Sequence, residues 1–218
     1  MIDCGKVRYF GVSNETPYGV CSMSSLHEYF PELYPKCISI QNSYSLVVRK
    51  DYEAGCAEAC YHHNVALLPY SPLAGGTLSG KYRKYSTMNQ QDIANDDDAK
   101  KSRLTRFPGY MARYLDSENE QAVNAYCDLA ESYKLTPTEL ALSWCYHNEL
   151  VGSTIIGATT LEQLEENLLA YDIKLNVIPT KQAAATSDDN DTNETTILKQ
   201  IEKIYKRYTD PTKAKNDL

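Results

Sequence analysis

Short apolar runs alternate with amphipathic stretches through the first third of the chain. Val7-Arg8-Tyr9-Phe10-Gly11-Val12-Ser13, Cys37-Ile38-Ser39-Ile40-Gln41 and Val65-Ala66-Leu67-Leu68-Pro69-Tyr70 are rich in β-branched and aromatic residues, and each ends at polar or turn-forming positions. They read as buried strands. The stretch from about Met23 to Phe30, and Tyr52 to His63 with Ala54, Ala57 and Tyr61 at helical spacing, read as the helices between them. Strand starts about thirty residues apart with a helix in each gap are the rhythm of parallel βα units joined by right-handed crossovers.

After Tyr70 the rhythm is interrupted by a long polar stretch, Ser79 to Ser117, a length that points to a functional or mobile loop. Helices are then expected over Asn119–Tyr133 and Pro137–Asn148. Thr136, Pro137 and Glu139 supply the cap, the first-turn proline and the reciprocal acceptor of a capping box for the second. Ser153-Thr154-Ile155-Ile156-Gly157 reads as a fourth strand. Thr160 with Gln163 repeats the capping pattern at the head of a helix reaching Tyr171, which sets a positive helix end just beyond a strand.

From residue 180 to 196 the composition turns to Ala, Ser, Thr, Asp and Asn without apolar period, the mark of a disordered polar insertion. Ile197, Ile201, Ile204, Tyr205 and Tyr208 then share one helical face, so a final helix is expected to pack on the body of the domain. The predicted organisation is one α/β unit over residues 1–179, the insertion at 180–196, and a C-terminal helix and tail at 197–218.

Composition narrows the function classes. A formal net charge of -7 offers no basic face for phosphates, which argues against nucleic acid as a partner. No apolar run approaches the roughly 18 residues needed to cross a bilayer, and the first residues lack the apolar core of a signal peptide, so a cytoplasmic protein with no membrane partner is expected. Seven scattered cysteines read as free thiols rather than a disulfide frame. Cys56 and Cys60 followed by His62 and His63 do not offer four converging ligands, and no metal is expected.

Three segments taken together resemble the aldo-keto reductases, in particular the branch that includes the potassium-channel β subunits. They are Gly5 to Asn14; Tyr70-Ser71-Pro72-Leu73-Ala74-Gly75-Gly76 with Ser79-Gly80-Lys81-Tyr82; and Ile156 to Asn167. The resemblance implies a (β/α)8 TIM barrel of which this chain carries the C-terminal half, strands five to eight, with functional residues at the C-terminal strand ends. It implies NADP(H) as cofactor. Tyr70 takes the stacking role against the nicotinamide, with Ser13, Asn14 and Gln41 at the carboxamide. Ser71, Pro72, Leu73 and Gly75 with Lys81 fall at the diphosphate, and Gly157, Thr159, Gln163, Glu166 and Asn167 at the adenosine. Arg103 is the candidate for the 2′-phosphate, through the bidentate contact a guanidinium makes with such a group.

The same resemblance puts the family's catalytic tyrosine, lysine, aspartate and histidine in the other half of the barrel, so no catalytic residue is assigned here. The expectation for the chain is an NADP(H)-dependent oxidoreductase acting on a small carbonyl substrate, truncated and inactive alone, and paired with an N-terminal half. The alternative is a non-catalytic NADP(H)-binding regulatory module that associates with itself. Another parallel α/β protein sharing the rhythm by chance is the third reading.

Overall fold

The computed structural model describes residues 1–2, 4–85, 90–102, 106–114, 117–177 and 196–212. Arg103, nearly all of the expected insertion (180–195) and residues 213–218 of the tail lie outside the described residues.

Three strands form a parallel sheet in chain order: β1 (Phe10–Ser13), β2 (Cys37–Ser43) and β3 (Ala66–Tyr70). Helix α1 (Pro17–Tyr29) joins the first two, and a short helical turn (Lys50–Glu53) with α2 (Cys56–His63) joins the second to the third. The chain is therefore α/β with the parallel crossovers that the apolar rhythm predicts.

Local chemistry sets the boundaries. Helix α1 begins earlier than expected because Thr16 caps it, its hydroxyl accepting from Gly19 N at 3.1 Å, and Pro17 fills the first position. The helix expected over Tyr52–His63 is split at Gly55, where an added Cβ would meet the Pro17 ring at 3.1 Å. The expected long polar loop holds helical turns at Gln90–Asn95, Asp97–Lys101 and Pro108–Met111.

The fourth strand, expected at Ser153–Gly157, is reduced to a single parallel bridge between Val151 and Leu67. Leu67 N donates to Leu150 O at 3.2 Å, and Gly152 N donates to Leu67 O at 2.8 Å. The next rung would need the amide of residue 69, and Pro69 has none. The pairing slips, and Ile155 N takes the Pro69 carbonyl at 2.9 Å. Segment 150–155 thus runs beside β3 in the same direction without forming a regular ladder.

Helices α3 (Ser117–Ser132), α4 (Pro137–Tyr146) and α5 (Leu161–Leu169) follow. The Thr136 capping box forms: Glu139 N donates to Thr136 Oγ1 at 3.1 Å and Thr136 N to Glu139 Oε2 at 2.7 Å. The final helix, α6 (Ile197–Arg207), is capped by Thr196 and buries Ile197 and Ile201 completely, so it is part of the core.

A buried ionic cluster fixes α6 to the body. Arg49 is 8% exposed and donates through Nε to Glu53 at 2.8 Å and through Nη1 to Glu202 at 2.6 Å. Its guanidinium lies 4.1 Å from the ring centre of Tyr205 and 5.1 Å from that of Trp144. Burial works against the charge, but hydrogen bonds to the Glu53 and Glu202 carboxylates outweigh it and hold the guanidinium above its ordinary pKa. Asp210, just past α6, accepts from the backbone amides of Arg49 at 2.8 Å and Lys50 at 2.9 Å, closing the clasp.

Candidate functional site

The strand ends gather the residues singled out from the sequence. Asn14 follows β1 with a positive φ of 52°, a conformation that asparagine tolerates better than most residues. Its amide donates to Gln41 O at 3.0 Å and also lies 3.0 Å from Asn42 Oδ1. Ser13 Oγ donates to the same Gln41 carbonyl at 3.0 Å, and Asn14 Nδ2 donates to Ser13 Oγ at 3.3 Å. From β3, Tyr70 OH donates to Asn14 Oδ1 at 3.1 Å. Ser13, Asn14, Gln41 and Tyr70, widely separated in sequence, thus share one hydrogen-bonded rim. Gln41 enters it through its backbone carbonyl.

Asn42 was missed by sequence reasoning, because the second strand was expected to stop at Gln41, whereas it runs on to Ser43. Its side chain is buried and fixes the turn that presents Asn14. The polar run Gln41-Asn42-Ser43 hides the continuation, because a polar side chain, Asn42, takes the inward position of the strand.

Beyond Tyr70 the chain coils tightly. Ser71, Ala74, Gly75 and Gly76 all have positive φ, and the amides of Ala74 and Gly76 donate at 2.8 Å to Ser71 O and Leu73 O. Glycine suits position 75, where φ is 70° and a Cβ would crowd Met111 Sδ at 2.8 Å and the Tyr114 ring at 3.2 Å. Pro72 is buried beneath this coil, and Leu73 packs against the core. The exposed Lys81 folds back over it. A Cβ on Gly76 would lie 3.0 Å from Lys81 Nζ, so the ammonium rests against the turn. The Ala74 and Gly76 amides are taken up inside the coil, so what lies outermost beside it is the Lys81 ammonium.

The third group lies at the same end of the sheet. Ile155 bonds Pro69, so the chain leaves toward Gly157 where β3 leaves through Tyr70. Gly157 is exposed, with nothing within 4 Å of a built Cβ. Its carbonyl accepts from Asn167 Nδ2 at 3.2 Å, and Asn167 is 2% exposed. Gln163 turns back to accept from Thr159 N at 2.9 Å, while its own amide donates to the Thr160 cap at 3.3 Å. The reciprocal bond expected for a second capping box thus falls on Thr159. Glu166 accepts from Thr136 Oγ1 at 2.7 Å and ties α5 to α4. Asn167 thus lies under the Gly157 carbonyl, Glu166 joins α5 to the head of α4, and Gly157 and Thr159 are exposed.

Comparison with known proteins gives this arrangement a context. Residues 1–187 match the model of the aldo/keto reductase family. The protein tas of Escherichia coli (strain K12) is 36% identical over 207 residues, covering 95% of this chain and 50% of that protein. An aldo-keto reductase of Babesia bovis is 40% identical over 167 residues, covering 75% of this chain and 54% of its own. A probable voltage-gated potassium channel subunit beta of Arabidopsis thaliana is 27% identical over 173 residues, covering 79% and 49%. The chain spans about half the length of these curated relatives.

Proposed function

Since the chain belongs to the aldo/keto reductase family, whose fold is the (β/α)8 barrel, we propose that its strand-end rim holds NADP(H) for hydride transfer to a small carbonyl compound. In this reading β1 to β3 and segment 150–155 are the barrel's strands five to eight. The observation that carries it is the hydrogen bond from Tyr70 to Asn14, which locks a flat aromatic ring beside a cluster of amide and hydroxyl groups on the strand-end rim.

The fit is specific group by group. A nicotinamide ring needs a flat face on one side and polar groups at its carboxamide. The half-buried Tyr70 ring offers the face, and Ser13 and Asn14 offer exposed polar groups beside it. A diphosphate needs close approach and a cation; in this reading it lies on the small-residue coil Ser71–Gly76 beside Lys81. The adenosine falls to the Gly157–Thr159 loop at the capped head of α5, with Arg103 assigned to the 2′-phosphate. Bound there, the cofactor supplies the hydride. Tyr70 would cover one side of the ring, leaving the other for the carbonyl compound, and Ser13 and Asn14 would hold the carboxamide. The reading assigns no general acid to these residues, so reduction by this chain alone should lack that contribution, about 10²–10⁴-fold.

The test is a titration of the purified chain with NADPH, followed by cofactor fluorescence and repeated with NADH. Saturable binding, tighter for NADPH and weakened about tenfold in Lys81→Ala, is expected. A folded chain showing no saturable binding of either nucleotide defeats the reading.

A further inference from the structure

The described part of the stretch 79–117 and helix α3 together wall a cavity of about 320 Å³. From the stretch come the rings of Tyr82, Tyr85 and Tyr114 and the side chain of Ile93, and from α3 come Val123 and Asn119. Thr77 adds to the wall, and its hydroxyl donates to Ala74 O at 2.9 Å, which fixes this side of the cavity to the end of the Ser71–Gly76 coil. A cavity of about 150 Å³ is enough for benzene, so this one has room for two fused rings.

The polar groups of the wall are of two kinds. Some are already paired or in water: Arg83 donates to Asp128 at 2.7 Å and to Glu131 at 3.0 Å, Tyr85 OH donates to Asp96 at 2.9 Å, and Glu120 is exposed. Two others, Asn119 Oδ1 and Tyr82 OH, are buried without a hydrogen-bond partner among the described residues. Asn119 is completely buried, and its Nδ2 donates to Tyr114 O at 2.6 Å, so the amide cannot turn over to relieve its oxygen. A buried acceptor left unpaired is destabilising, and an occupant that brings a donor removes the penalty. Among the described residues the wall has no buried charge left over for an ionic occupant, which selects a neutral one.

We propose that this cavity binds a neutral, flat molecule of one or two fused rings that carries an N–H or O–H donor, the chemistry of indole and phenol. The donor goes to Asn119 Oδ1. The ring body lies among the three tyrosine rings, Ile93 and Val123, an apolar and aromatic lining with few polar groups, as small-molecule sites have. Tyr82 OH, which both donates and accepts, leaves a place for a second polar atom on larger members of the class. The site is independent of what the strand-end rim binds, and it gives the long stretch after β3 a task of its own.

Titration calorimetry of the purified chain with indole should give a saturable one-to-one isotherm. Indene, of the same shape without the N–H, should bind about tenfold more weakly. Asn119→Ala should erase that preference, so that the two molecules bind alike. Because Asn119 also holds Tyr114 O, the fold of this variant is checked by circular dichroism, and Ile93→Trp at a half-buried position gives a second reading. It fills the cavity and should abolish indole binding with the spectrum unchanged. No saturable binding of indole overturns the proposal and leaves the cavity to ordered water. Equal affinity of the parent chain for indole and indene, binding that survives Ile93→Trp, or tighter binding of the charged tryptamine or indole-3-acetate than of indole overturns it as well.

Discussion

The protein has two polar clusters of opposite design. Around Arg49, two carboxylates and two aromatic rings surround one guanidinium at a junction of the body with α6, and a third carboxylate, Asp210, holds the backbone amides beside it. At the strand-end rim, Ser13, Asn14 and Tyr70 are joined by neutral hydrogen bonds and remain at least partly open to solvent. A cluster that satisfies itself in the interior holds a fold together. A cluster that is positioned by the fold but left open is available to a ligand.

The sharpest way to break this contrast is to cut the interior cluster. Arg49→Ala leaves Glu53 without its buried partner and unties Glu202, while removing the ring contacts to Tyr205 and Trp144. Losing one partner of a buried pair costs about 3–5 kcal/mol. Glu202 is nearly half exposed, so the lower end is expected here. Urea unfolding should show this loss, and the folded fraction should keep the nucleotide affinity of the parent. If stability hardly changes, Arg49 is not the clasp of α6.

The next effect comes from pH and again distinguishes interior from rim. Burial pushes the Cys127 and Cys60 thiols up to about 11 and the Cys145 thiol up to about 12, from an ordinary 9.0. The folded state then keeps these protons over a range in which the unfolded chain loses them. Their stabilisation is complete below about pH 9 and disappears as pH rises through 11 to 12. Each tenfold gain in proton affinity is worth about 1.4 kcal/mol, so Cys127 alone contributes at most about 3 kcal/mol. Unfolding in reducing buffer should show stability falling steadily above pH 9, with a shallower slope in Cys127→Ala. A flat profile to pH 11 would mean that these thiols are open to solvent in solution.

How much of each cluster was legible in the sequence follows the same division. Ser13, Asn14 and Tyr70 of the rim, and Gly157 of the neighbouring loop, lie in the contiguous segments that carry the family resemblance and were named through it, whereas parallel βα order followed from apolar spacing. The Arg49 cluster joins positions 49, 53, 202 and 210 from distant parts of the chain, and nothing local marks Arg49 as buried. The fourth strand failed for a different reason. Its own residues favour a strand, but the missing amide belongs to its neighbour Pro69, and a pattern read along one segment does not include the partner's chemistry. The resemblance assigns Asn167 to the adenosine, and nothing local in the sequence marks it as buried beneath the Gly157 carbonyl.

Asn167 therefore sits between the two designs, an interior residue acting on the rim. Asn167→Ala removes the bond to Gly157 O and should cost about 1–2 kcal/mol of stability. It should also weaken NADPH binding several-fold by loosening the Gly157–Thr160 loop. Asn167→Asp, which replaces the Nδ2 donor by an acceptor, should behave no better. If Asn167→Ala lowers stability without touching affinity, the loop is not part of the cofactor site.

The smallest changes separate the two parts Tyr70 plays. Tyr70→Phe keeps the ring and loses only the hydrogen bond to Asn14 Oδ1, a half-exposed bond worth about 0.5–1 kcal/mol. Water can reach the asparagine oxygen once the hydroxyl is gone, so stability should fall by less than that, and affinity for NADPH by no more than about fivefold. Tyr70→Ala removes the face itself and should cost about tenfold or more in affinity with a similarly small change in stability, because the ring is not part of the core. A large gap between the two variants assigns the ring to stacking. Equal losses in both would assign the work to the hydroxyl and make Tyr70 a brace for Asn14, which would move the nicotinamide face elsewhere on the rim.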